Sequence, residues 1–207
     1  MKTAQRKEGW RRAYLAASAA RRALYAANPT LEMDHSAALS KNLLRLFQHA
    51  PRLSDARKTL RPLQVAAFMP TPTEPNLLPF LQAARIKGWT VFLPHLEEGT
   101  TWGSTTHLKN WARMGMDSKG ETPAHLDAIL VPGVAFDVEG GRLGRGAGWY
   151  DRALQAMSPS VTRIGVTFPN HVATCALPTS RCDQKVDFLV TADDIQTCDP
   201  EGAHTRR

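Results

Sequence analysis

The sequence is short of cysteine, of long apolar runs and of acidic charge. Its three cysteines, Cys175, Cys182 and Cys198, are odd in number and lack paired spacing. That excludes a disulfide framework and fits free thiols in a reducing compartment, so a cytoplasmic location is expected. No run of about 18 apolar residues occurs, which excludes a helical membrane span. Acids number 19 against 26 basic side chains, leaving a net charge of +7. Such a surplus favours anionic partners. The basic residues form no tract interleaved with aromatics and no zinc-finger or RNA-recognition signature, so a nucleotide, phosphate or polyanionic metabolite is expected, and nucleic acid is not. No internal repeat is evident. The 207 residues, 43% of them hydrophobic, are enough for one domain with a real core. That domain is expected over residues 1–196, with 197–207 a polar C-terminal tail.

Residues 1–27 carry Lys2, Arg6, Lys7, Arg11, Arg12, Arg21 and Arg22, with Glu8 as their one acid. This composition suits a transit peptide. It equally suits a helix of the fold, because Trp10, Ala13, Tyr14, Ala17, Ala20 and Leu24 recur at spacings of three and four and predict a buried stripe. The second reading is favoured. The helix is expected over 5–27, ending at Asn28-Pro29, with a second over 33–49 closed by Pro51. Strands are expected at 64–69, 90–94, 128–132, 163–168 and 186–191. Helices are expected at 77–87, opened by Asn76 and closed by Gly88, and at 149–157. Residues 97–125, polar and rich in Gly, Thr and Trp, read as loops with one short strand. Strands alternating with helices imply a doubly wound α/β domain around a parallel sheet.

The most informative stretch is Pro132–Arg152, PGVAFDVEGGRLGRGAGWYDR, which holds six of the 14 glycines. Glycine there permits left-handed backbone and close approach to a ligand. Consecutive amides can then form an anion nest, and the helix starting near Trp149 adds its positive end. Arg142 and Arg145 add charge to the same cradle. The bland alternative, a flexible strand-to-helix turn, stays open, because GRGAG matches neither the dinucleotide fingerprint nor the Walker loop.

The string PGVAFD…GRLGRGAGWYDRAL resembles the signature of the 5-formyltetrahydrofolate cyclo-ligase family, in which AFD or GFD is followed after a gap by RLGxGxGYYD. Lys7 and Arg11 on a basic N-terminal helix, Glu74 after the first strand and Lys185-Val186-Asp187 near the end fall at matching places, so the resemblance covers roughly residues 5–195. It implies a single open, mostly parallel twisted sheet with helices on both faces, Rossmann-like and of the NagB/RpiA/CoA-transferase type. It implies an enzyme that uses ATP and Mg2+ to convert 5-formyltetrahydrofolate into 5,10-methenyltetrahydrofolate, with ADP and phosphate released. Both substrates are small molecules, and a monomer is expected. Lys7, Arg11 and Arg145 would be the catalytic cations. ATP would be held by Lys7, Arg11, Arg142, Leu143, Gly144, Arg145, Gly146, Ala147, Gly148, Trp149 and Tyr150. Folate would meet Met69, Glu74 and the Arg145–Trp149 part of the loop. Asp151 and Asp187 match the family's magnesium-contacting acids.

Each of these residues has an ordinary reading beside the implied one. Lys7 and Arg11 lie four apart, as on any solvated basic helix face. Asp151 could be a first-turn acid complementing a helix N-terminus. Asp187 could be a strand-edge acid paired with Lys185 or an arginine, and Met69 a core side chain. Departures from the family pattern are local. Ala147 replaces the usual glycine or lysine and would be strained at positive φ. Trp149 replaces the first tyrosine, Pro75 stiffens the Glu74 turn, and GMDSKGETP replaces a shorter run. His95, Glu97 and Glu98 fit no standard metal site, and His171 with Cys175 lacks a third partner for nucleophilic chemistry.

Overall fold

A computed structural model describes residues 2–51, 53, 61–94, 111–113, 125–180 and 182–198. The first two helices, α1 (Lys2–Ala27) and α2 (Pro29–His49), are separated by one residue. Asn28 ends the first and caps the second, its side chain accepting a hydrogen bond from the Leu31 amide at 3.2 Å. α2 therefore starts four residues before the expected position, because proline is tolerated at a first helical position, where its missing N–H is not needed. There follow β1 (Gln64–Ala66), α3 (Leu78–Ile86) and β2 (Thr90–Pro94), then β3 (Trp111–Arg113), the short strand expected within 97–125. After β4 (Ala128–Pro132) come β5 (Ala135–Asp137), β6 (Arg142–Leu143), α4 (Trp149–Ala156) and β7 (Thr162–Val166). A 3-10 turn at Pro169–His171 leads into β8 (Val172–Ala173), and β9 (Phe188–Val190) and β10 (Ile195–Thr197) finish the described chain. The expected domain limit at 196 falls inside β10, so the folded domain reaches at least Cys198, which packs partly buried against the core.

The main sheet has seven strands in the order β10-β9-β7-β4-β1-β2-β3. The inner pairings β9–β7, β7–β4, β4–β1 and β1–β2 are parallel, and the two edge pairings are antiparallel. A small second sheet, β6-β5-β8, stands beside it. Strand periodicity divides the core between two faces. Ala128 and Leu130 of β4 face α2 and α3, and Ile129 and Val131 face α4 and Phe136. Every residue of β4 is buried, as expected of a strand covered on both sides. On the first face Phe47 is fully buried, its ring 5.8 Å from Phe80 and 4.8 Å from Trp89; burial on that scale is worth about 1.5–3 kcal/mol per side chain.

α1 presents the predicted stripe only in part: Trp10, Tyr14 and Ala17 are partly buried. Ala13 and Ala20 are exposed and Leu24 is half exposed, whereas Ser18 is buried. The inward residues are Lys7, Trp10, Arg11, Tyr14, Ala17, Ser18, Arg21 and Tyr25, and charged and hydroxyl-bearing side chains are the majority. The reason is what α1 lies on. It packs against the small sheet through Trp10 and Tyr14, against Phe168 and Asn170 through Arg21, and along the rim of a cavity through Lys7 and Arg11.

From β1 the chain moves to β2 on one side and later returns to β4 on the other. The connections leaving β1 and β4 thus diverge and open a crevice at the carboxyl ends of the strands, where open α/β sheets take ligands.

Candidate active site

That crevice is a cavity of about 460 Å³, within the size range of small-molecule sites. One wall is the segment after β1, from Phe68 to Glu74. The opposite wall is the segment from Pro132 to Asp151, and Lys7, Arg11, Leu15 and Ser18 of α1 close a third side. Asp183, from the connection between β8 and β9, completes it.

Rigid glycine packing shapes the second wall. Asp137, 2% exposed, accepts hydrogen bonds from the amides of Gly141 at 2.7 Å, Glu139 at 3.1 Å and Leu177 at 2.8 Å. A Cβ on Gly141 would sit 2.4 Å from that carboxylate, so the aspartate of AFD and the second glycine of GG require one another. At Gly144 a Cβ would come within 2.8 Å of the Arg142 guanidinium. Gly146 and Gly148 take φ of +109° and +66°, and no other residue type has positive φ among the described residues. Ala147 is therefore unstrained: the left-handed positions are the glycines on either side of it.

Four cations converge on the cavity. Arg142, its side chain 4% exposed, pairs with Asp151 at 2.8 Å, lies 3.4 Å from the Pro132 carbonyl and stacks over Tyr150. Arg11 donates through Nε to the Gly144 carbonyl at 2.8 Å, tying α1 to the loop. Lys7 pairs with Asp183. Burial alone would push the Asp183 carboxyl up, but hydrogen bonds from Lys7 and the Ser180 amide, with the Lys7 charge, hold it below the ordinary range. Arg145, half exposed, reaches across to the β1–α3 segment and donates to Thr73 at 2.7 Å and Thr71 at 2.9 Å, with Glu74 at 3.4 Å. Tyr150 is buried and its hydroxyl has no hydrogen-bond partner among the described residues. Burial first, then the Glu74 charge, drive that phenol far above its usual value against the opposing pull of Arg142, so it stays protonated as a donor.

The cavity gathers Lys7, Arg11, Met69, Glu74 and the whole run Arg142–Asp151. Met69 is half exposed at the rim, not a core residue. Asp187 does not line the cavity. Its carboxylate accepts from the Arg163 amide at 2.8 Å, near the amino ends of β7 and β9, away from the cavity. Asp183, four residues earlier, is the acid that lines it, and Thr71 and Thr73 are further lining residues that were not anticipated. Position against the sheet was the available signal. A residue just ahead of a parallel strand cannot reach a crevice at the carboxyl ends, whereas the connection before it can. His95, Glu97, Glu98 and most of 97–125 lie outside the described residues, and the described residues hold no cluster of three or more metal-ligating side chains.

A family model described as the 5-formyltetrahydrofolate cyclo-ligase family matches residues 15–192. The chain belongs to this family. Lys7 and Arg11 precede the matched region, so their place in the site rests on the contacts above. Among curated relatives, a 5-formyltetrahydrofolate cyclo-ligase of Mycolicibacterium smegmatis is 32% identical over 49% of this chain and 60% of its own length. The mouse protein of that name is 35% identical over 33% of this chain and 35% of its own length. The matched stretches thus span about a third to three fifths of these relatives. Among solved structures, a 5,10-methenyltetrahydrofolate synthetase from Mycoplasma pneumoniae superposes with a TM-score of 0.65 at 16% identity, covering 90% of this chain and 98% of that one. The Aquifex aeolicus synthetase gives 0.58 at 24% identity, covering 96% and 93%. These two likenesses show a shared fold. No described helix is long and apolar enough to cross a membrane.

Proposed function

We propose that this chain is an ATP- and magnesium-dependent 5-formyltetrahydrofolate cyclo-ligase, forming 5,10-methenyltetrahydrofolate, ADP and phosphate. The observation that carries the reading is that the loop Arg142–Tyr150 sets its cations and amides opposite the Met69–Glu74 wall across one cavity. A triphosphate on the first and a reduced pterin against the second would be neighbours.

The chemistry explains why both walls are needed. The N5-formyl group is an amide, with a weakly electrophilic carbon and an oxygen that does not leave. Transfer of the γ-phosphoryl group to the formyl oxygen forms a P–O bond, breaks the bond to the bridging oxygen and releases ADP. N10 then attacks the formyl carbon, its proton is lost, and the C–O bond breaks to release phosphate. The ring closes within one molecule, so holding the pterin rigidly supplies much of the advantage. For the phosphoryl step the protein's contribution is positioning and positive charge, which Lys7, Arg11, Arg142 and Arg145 supply. Glu74 is suited to accept from pterin N–H groups, Trp149 and Met69 offer apolar surface, and the unpartnered Tyr150 hydroxyl is a donor held inside the site.

Two of the three lining carboxylates, Asp151 and Asp183, fit magnesium, which takes one or two carboxylates and completes its shell with phosphates and water. Each is matched to a cation, Arg142 or Lys7, that a phosphate could take over. Bound there, the ion would neutralise phosphate oxygens. Asp187 has no place in this arrangement.

The decisive assay mixes protein, ATP, magnesium and 5-formyltetrahydrofolate and follows absorbance of the methenyl product. The expected result is growth that stops when any one component is omitted. No growth with all four present overturns the reading.

A further inference from the structure

The segment Met69-Pro70-Thr71-Pro72-Thr73-Glu74-Pro75 is built as a stiff platform. Three prolines restrict φ at alternate or neighbouring positions. Thr71–Glu74 is a β-turn with proline at its second position, closed by the Glu74 amide donating to the Thr71 carbonyl at 2.9 Å. It is closed again in the opposite sense, the Thr71 amide donating to Glu74 Oε2 at 2.9 Å. The two threonine hydroxyls are brought within 3.2 Å of each other, and both face one guanidinium nitrogen of Arg145.

That nitrogen carries two hydrogens, and three acceptors surround it. The hydroxyls are nearer, at 2.7 and 2.9 Å, and Glu74 Oε1 lies at 3.4 Å. The two hydrogens therefore go to neutral acceptors, and the carboxylate is left with a long contact while its other oxygen is engaged by backbone. Neutral acceptors fix a guanidinium without cancelling its charge. Among the described residues Arg145 makes all its side-chain hydrogen bonds through this nitrogen, which leaves Nε and NH1 for a phosphoryl oxygen.

We infer that Thr71 and Thr73 are positioning residues for Arg145: they hold it between the nucleotide and folate walls and keep it from collapsing into a full ion pair with Glu74. This rests on the activity proposed above. Without the hydroxyls, Glu74 is the one remaining partner at that nitrogen among the described residues. Arg145 and Glu74 would then neutralise each other, withdrawing charge from the phosphoryl group and a carboxylate from the pterin.

The test compares wild type with Thr71→Val/Thr73→Val, which keeps side-chain shape and removes both oxygens, and with Thr71→Ser/Thr73→Ser, which keeps the oxygens. For the valine pair, kcat should fall roughly tenfold, the scale of one or two hydrogen bonds. KM for 5-formyltetrahydrofolate should rise several-fold, and KM for ATP, which Lys7, Arg11 and Arg142 would also support, should rise less than that. The serine pair should recover most of the loss. The inference is overturned if the valine pair matches wild type in kcat and folate KM. It is equally overturned if the serine pair loses as much as the valine pair, which would make the methyl groups responsible. Should the valine pair melt below assay temperature, Thr73→Val alone against Thr73→Ser decides by the same criteria. An inactive wild type would instead sink the proposed activity, a result distinct from either outcome above.

Discussion

Arg142 and Asp151 form a 2.8 Å ion pair beneath the glycine loop, with the arginine side chain 4% exposed and the aspartate 18%. The arginine is in β6 and the aspartate in the first turn of α4, so the pair clamps together the two ends of the loop that lies between them. Removing the acid leaves a buried guanidinium without its counter-charge. Asp151→Ala is expected to cost about 3 kcal/mol, the lower end for breaking a buried pair, because the carboxylate keeps some solvent. The double variant Arg142→Met/Asp151→Leu is expected to regain most of that stability without regaining activity. Urea unfolding of the three proteins is the check, and a double variant no more stable than the single would contradict the ion-pair account.

Arg145 is expected to act in turnover and hardly at all in folding. It is half exposed and its partners are polar groups at the cavity mouth. Arg145→Ala should lower kcat by roughly 10²-fold, the scale for losing one transition-state donor, with a melting temperature close to wild type. Near-normal turnover would remove it from the phosphoryl step.

The pH dependence of stability should carry a signature of His171. It is buried at 2% exposure, and its Nδ1 lies 2.9 Å from the Val134 carbonyl. Burial holds its pKa below the ordinary value against the opposing effect of that carbonyl, and the Arg21 charge adds a smaller push in the same downward direction. The unfolded chain therefore binds this proton at a higher pH than the folded one does. Stability is fully present above the unfolded pKa of about 6.5 and declines as pH falls from there through the lower folded pKa. Unfolding free energies at about pH 7.5 and about pH 5.5 should differ in wild type and differ less in His171→Gln. Equal differences in the two proteins would exclude His171 as the source. Asp127 and Asp183, both held below their ordinary range, titrate well below this window.

The order of strands and helices was legible in the sequence because β4 reads as an unbroken apolar run and Gly88 and Asn28-Pro29 punctuate the chain. The face of α1 was legible only in part. Hydrophobic periodicity assumes a helix packs on apolar surface, and this one lies partly along a polar cavity, so Lys7, Arg11, Ser18 and Arg21 share the inward side with the anticipated Trp10, Tyr14 and Ala17. The glycine loop was legible through its spacing, and its left-handed positions turn out to be Gly146 and Gly148, which is why Ala147 is tolerated between them. Thr71 and Thr73 were invisible for a different reason. Their part depends on a side chain more than seventy positions away, and no local pattern encodes that distance.

Asp183 and Asp187 offer a direct separation of site from scaffold. Both are acids of the segment Cys182-Asp183-Gln184-Lys185-Val186-Asp187, yet one lines the cavity opposite Lys7 and the other accepts from the Arg163 amide beside β7. If Asp183 helps hold magnesium against a triphosphate, magnesium should tighten ATP binding in wild type, and Asp183→Asn should lose that gain by roughly 10- to 100-fold, the range seen even for residues that only support metal ligands. Asp187→Asn should keep the gain and lower unfolding stability by about 1–2 kcal/mol, the scale for weakening a charged hydrogen-bond acceptor. Titrating each variant with ATP, in magnesium and in chelator, by a binding signal independent of turnover, makes the comparison. A magnesium-dependent gain lost in Asp187→Asn and intact in Asp183→Asn would return the metal to the strand-edge acid and remove Asp183 from the site.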